Sequence, residues 1–100
     1  ERIAQVTIQN IETIREQLTA AFRDAQGDVQ TRTFFANGYG VSVVRFFGSY
    51  GYHQGLFELA VLKGDQQQHD LCHDTPITGD VLGWLTPEEV VALTAKVSKL

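Results

Sequence analysis

His69, Asp70, Cys72, His73 and Asp74 form the densest group of side chains able to hold a metal or move a proton. On a helix, His69 and His73 at i and i+4 would share a face, as a two-histidine zinc pair does. The surroundings read instead as a strand, where the two histidines again share a face and Cys72 points to the other. Tetrahedral coordination then needs His53 or an acid from elsewhere, and the chain has no C-x-x-C pair to supply ligands. The favoured reading is a polar edge strand with surface histidines. A small metal- or ligand-binding protein using His69, Cys72 and His73 stands as the alternative. Cys72 beside His73 does not read as a nucleophile with its base, because neighbours along a strand point apart. A half-buried structural cysteine is expected.

The second group is Gly48-Ser49-Tyr50-Gly51-Tyr52-His53-Gln54-Gly55. It lacks a Gly-Lys-Ser/Thr ending and opens no helix, so it fits neither a phosphate loop nor a dinucleotide fingerprint. Ser49 lacks the glycine two residues earlier that a nucleophile elbow carries. The glycines suit a wide hairpin loop with positive φ. Tyrosine is enriched at binding hot spots, so Tyr50 and Tyr52, with His53 beside them and Tyr39 at the neighbouring hairpin, read as recognition residues. Asp74, Asp80, Glu88 and Glu89 have no pairing that specifies hydrolysis. No catalytic residue and no cofactor is assigned.

The elements that must position these residues centre on 41–63, two apolar β-branched and aromatic runs flanking that loop. Asn37-Gly38 predicts a tight type I′ turn between TRTFFA and the first run, setting Phe34 opposite Val41 and Arg32 opposite Val43. Pairing Phe47 with Leu56 sets Arg45 opposite Glu58, where opposite charges meet across strands. Sorted by alternation, one face carries Phe35, Val44, Phe46, Phe57, Leu59 and Val61 with no charge, and is assigned to the helices. The other carries Phe34, Val41, Val43, Phe47, Leu56, Ala60 and Leu62, broken by Arg32, Arg45 and Glu58. That is more apolar surface than a monomer leaves wet, since its largest exposed patch is about 300–600 Å².

Ile11, Ile14, Leu18, Ala21, Phe22 and Ala25 recur at helical spacing, predicting a helix over about 10–26 with Asn10 as N-cap, Glu12 in the first turn and Gly27 at the end. Residues 1–9 fit the start of a helix, a short strand or a tail. Gly64-Asp65 turns the chain into a polar edge strand over 66–73 anchored by Leu71. ITGDVLGWL reads as a connector with Ile77, Val81, Leu82 and Trp84 buried. Thr86-Pro87-Glu88-Glu89 is a capping box with proline in the first helical position. Behind it Val90, Leu93, Val97 and Leu100 line one face of a last helix. The expected fold is a single α+β domain over 1–100: N-terminal helix, antiparallel meander of about four strands, C-terminal helix, in two layers.

With 43% hydrophobic residues, 12 acids and 8 bases, the chain is globular, carries a net charge of −4 and has no basic footprint for nucleic acid or an anionic membrane. A single cysteine and the absence of a signal-peptide pattern in ERIAQVTIQN favour the cytoplasm. SYG, three residues, GLFE, followed by ITGDVLGWLT-x-EEV, resembles small bacteriophage and prophage proteins of unknown function; Ser49–Gly51, Gly55–Glu58 and Gly79–Val90 carry the resemblance. It implies an accessory protein acting on a host or phage partner and carries over no catalytic residues. The function expected is thus a non-catalytic protein-interaction module. It binds a protein partner or itself, as a homodimer through the second sheet face, with Phe34, Tyr39, Phe47, Tyr50, Tyr52, His53 and Leu56 at the contact.

Overall fold

A computed structural model describes residues 2–8, 11–72, 75 and 81–100, and the side chains of residues 11, 14–72, 75 and 81–100. The predicted first helix forms as a 3₁₀ turn, Ile11–Ile14, leading into α1, Arg15–Asp24. Ile11, Ile14, Leu18 and Phe22, three or four residues apart, pack against the core, while Ala21 is exposed. Ala25 is already extended, and Gly27 at φ +68° belongs to the exit loop rather than the cap. Asn10 and the Glu12 side chain lie outside the described residues. The last helix, α2, spans Pro87–Val97 and has the full capping box: the Glu89 N–H donates to Thr86 Oγ1 (3.2 Å) and the Thr86 N–H to Glu89 Oε1 (2.9 Å). Val90, Val91, Thr94, Ala95 and Val97 are buried, with Leu93 and Leu100 packed at the margin.

The N-terminal stretch is a strand, β1 (Arg2–Ile8), parallel to β2 (Val29–Phe35), so α1 is a crossover between them. An antiparallel meander continues through β3 (Tyr39–Arg45), β4 (Phe57–Gly64) and the short edge strand β5 (His69–Leu71). The predicted connector contains a sixth strand, β6 (Leu82–Leu85), which pairs with the start of β4 while β5 pairs with its end. The sheet thus runs β1-β2-β3-β4-β5, with β6 sharing the β4 edge. α1 and α2 pack on each other and share one core with the sheet, giving the expected two-layer α+β arrangement. None of the helices is long and apolar enough to cross a membrane among the described residues.

Both predicted registers are off by one residue, and this reverses the faces of β3. Phe34 lies opposite Gly40, and Thr33 opposite Val41. The turn holds three residues rather than two: the Gly38 N–H donates to the Phe35 carbonyl (3.2 Å) and only Gly38 takes positive φ, at +86°. Likewise Val44, not Arg45, lies opposite Glu58, and Val43 opposite Leu59. Val41 and Val43 therefore join Phe35, Phe57, Leu59 and Val61 beneath the helices. Close packing separates the two registers. The predicted register would place Ser42, Val44 and Phe46 on the helix side in place of Val41, Val43 and Arg45, and would set Val41 rather than Gly40 beside Phe34, whose ring fills the space where a Cβ would stand. The cross-strand ion pair it would gain is worth roughly 0.2–1 kcal/mol.

The predicted surplus apolar face is consequently not formed among the described residues. Opposite the helices lie Gln30, Arg32, Ser42, Val44, Glu58 and Ala60, each half-buried, together with Phe34 and Leu62, which are buried. Phe34 is 1% exposed; its ring fills the space over Gly40, where a Cβ would stand 2.7 Å away, and meets the His69 ring at 5.1 Å. Trp84, expected inside, is 58% exposed, and Val81 and Leu82 are half-buried; Ile77 lies outside the described residues.

Candidate functional site

Residues 46–56, joining β3 to β4, are held by their own hydrogen bonds. Buried Ser49 donates Oγ–H to the Phe46 carbonyl (2.8 Å) and accepts the Phe46 N–H (3.0 Å), while its own N–H bonds the same carbonyl (2.9 Å). The Gly51 carbonyl accepts the N–H groups of Gln54 (3.0 Å) and Leu56 (2.9 Å), closing a 3₁₀ turn over Tyr52–Gln54. The left-handed conformation is required at Gly51 (φ +91°), where a Cβ would also press on Leu56 Cβ at 2.9 Å and Trp84 Cα at 3.1 Å. Arg45 anchors the far side. Its Nη1 donates to the Gly55 carbonyl (3.3 Å) and Nη2 to those of Ala25 (2.9 Å) and Gly27 (3.1 Å), and its guanidinium lies 4.7 Å over the Phe57 ring.

This frame displays aromatic rings. Phe47 is 78% exposed and meets Tyr52 and His53 edge-on, at 6.0 and 6.1 Å. Tyr50, 57% exposed, stacks on Trp84 with centroids 5.1 Å apart and planes inclined by 24°. Trp84 comes from β6. Two residues of that strand, Gly83 and Trp84, oppose Glu58 alone between the pairs Phe57↔Leu85 and Leu59↔Leu82, a β-bulge. The bulge puts Trp84 at φ +55°, the one non-glycine positive φ among the described residues. A bulky side chain pays an energetic penalty in that region. A Cβ on Gly83 would stand 2.5 Å from Tyr50 Cβ, so the stack depends on a glycine there. Glu58 Oε1 accepts the Tyr50 N–H (3.2 Å), which fixes a carboxylate beside the platform.

Of the predicted contact residues, the structure brings Phe47, Tyr50, Tyr52 and His53 to this end, with Leu56 half-buried under the loop. Phe34 is buried, and Tyr39 is at the opposite end of β3, half-buried against the core with the Lys63 ammonium 5.9 Å over its ring. Trp84 and Glu58 were not among the predicted residues. The resemblance motifs do include both, but no spacing rule distinguishes a bulged tryptophan from a buried one.

His69 and Cys72 lie on opposite sides of the sheet: His69 against Phe34, Cys72 in the core with its N–H on the Val61 carbonyl (2.9 Å). His73 and Asp74, like Asp80, lie outside the described residues, among which no three His, Cys, Asp or Glu side chains are placed to hold a metal ion. Asp65 is held below the usual carboxylate range by the N–H groups of Gln68 and Gln67, both 2.9 Å from Oδ1. Glu88 is lowered by its hydrogen bond from Arg23 and by its own backbone N–H. These are local structural bonds. Comparison of the chain with family models, curated proteins and solved structures finds no match.

Proposed function

We propose that the protein is a non-catalytic interaction module, an accessory protein of the phage or prophage type acting in a cytoplasm. Its docking surface is the aromatic end formed by residues 46–56 and β6. The observation that carries this reading is Trp84, kept at an unfavourable φ of +55°, 58% exposed and stacked on Tyr50. A ring in that position contributes little to the core, whereas exposed, pre-organised Trp and Tyr are the side chains that most often anchor a protein contact. The loop's internal hydrogen bonds reduce the ordering cost of binding. Placing a photo-crosslinking phenylalanine derivative at position 50, with exposed Gln17 on α1 as control, tests the reading in the producing cell. Protein adducts from position 50 and none from position 17 are expected; equal yields from both positions, or none from 50, overturn it. Sedimentation of the wild type and of Phe47→Asp identifies the partner as a second copy if self-association occurs and the substitution abolishes it.

A further inference from the structure

We infer that the Tyr50–Trp84 platform, with Glu58 at its edge, receives an arginine side chain of the partner. The inference rests on the docking reading above and specifies the chemistry of what docks. Stacked indole and phenol rings present electron-rich faces, and tryptophan is the strongest of the side-chain cation–π acceptors. Glu58 supplies the formal charge. It sits in β4 directly across from the Gly83–Trp84 bulge, with Oε1 held by the Tyr50 N–H at 3.2 Å, and Oε2 has no donor among the described residues. Four cations among the described side chains are placed elsewhere. Arg45 is bound to the carbonyls of Ala25, Gly27 and Gly55, Arg23 to Glu88, and Lys63 covers Tyr39. Arg32 shares the sheet face of Glu58 but sits two strands across and two residues along, about 12 Å away at strand spacing. A rigid aromatic pair beside a half-occupied carboxylate, on a chain of net charge −4, thus has no cation over it among the described residues. Guanidinium suits it better than ammonium, because it is planar, weakly hydrated and able to stack on a ring while donating to a carboxylate.

Trp84 is the sole tryptophan, so its fluorescence and indole N–H resonance report on this site alone. The probe is acetyl-arginine-methylamide, titrated against the neutral citrulline analogue at matched ionic strength and followed by NMR. The arginine probe is expected to shift the Trp84 indole and the Tyr50 and Gly83 amides with about three- to tenfold preference over citrulline. Added salt should weaken that preference, and Glu58→Gln, whose amide oxygen still accepts the Tyr50 N–H, should remove most of it. Equal responses to both probes, shifts that bypass the Trp84 indole, or a preference unchanged in Glu58→Gln overturn the inference. Crosslinking from position 50 without an arginine preference leaves the docking surface and removes the cationic partner; failure of both removes both.

Discussion

At the residue scale, two side chains do work that neither their type nor their spacing announces. Arg45 is directed along the helix side of β3, where it binds the Ala25 and Gly27 carbonyls of the α1 exit loop and the one at Gly55, so one cation joins two loops. Arg45→Met keeps the packing over Phe57 and removes these bonds; it should cost about 1–3 kcal/mol, read as a lower urea midpoint at unchanged slope. Arg45→Lys should recover only part of this, because one ammonium cannot reproduce the fork of a guanidinium. An unchanged midpoint for Arg45→Met would show that water satisfies those carbonyls equally well. Asn37 has a comparable role at the other end of the sheet: its Nδ2 donates to Val97 O (2.9 Å) and Leu100 O (3.2 Å), carbonyls at the end of α2, while Oδ1 accepts the Tyr39 N–H (3.0 Å). Asn37→Ala should therefore destabilise by about 1 kcal/mol in the same denaturation assay. Asn37→Asp should not rescue it, because a carboxylate cannot donate to those carbonyls.

At the element scale, α1 and α2 are tied by Arg23–Glu88, an exposed pair at the first turn of α2. The folded state holds the Glu88 carboxyl below its ordinary range, chiefly through the Arg23 hydrogen bond, so the unfolded chain binds the proton more readily. The resulting stability is fully present above the unfolded value and is lost as pH falls through the folded one. Melting temperatures of wild type and Glu88→Gln should differ at neutral pH and converge in acid; a constant gap would mean the carboxylate's charge is not responsible. These helices were legible beforehand because the α2 capping box and the α1 apolar spacing are local signals that tertiary packing did not override. The strands were legible as segments but not in register. Val41, Val43 and Val44 offer an apolar residue to either face, and Asn-Gly fits a two-residue turn or, as found, a three-residue turn with glycine alone left-handed. The single-residue difference between these turns moved Val41 and Val43 into the core and removed the predicted docking face. β6 escaped notice because GWL lacks alternation and its bulge turns out a residue that hydrophobicity alone assigns inside.

At the scale of the whole molecule, the two ends of the sheet are finished differently. Around the β2–β3 turn, Asn37 binds α2, Lys63 covers Tyr39, and Phe34 is buried under His69. At the β3–β4 end the rings of Phe47, Tyr50 and Trp84 face solvent over a rigid loop. If those rings serve the fold, removing one must be expensive. A left-handed conformation at Trp84 costs about 1–2 kcal/mol, and stacking on Tyr50 returns about 0.5–1.5 kcal/mol, so the two nearly cancel. Asparagine tolerates positive φ. Trp84→Asn should therefore change unfolding free energy by less than about 1 kcal/mol, against about 3–5 kcal/mol for loss of a core aromatic. The same substitution should abolish crosslinking from position 50. Urea denaturation and the crosslink yield, measured on one preparation, separate the two roles. A loss near the core value would make Trp84 a structural residue, while near-neutral stability with lost crosslinking would mark a ring held at the surface for a partner.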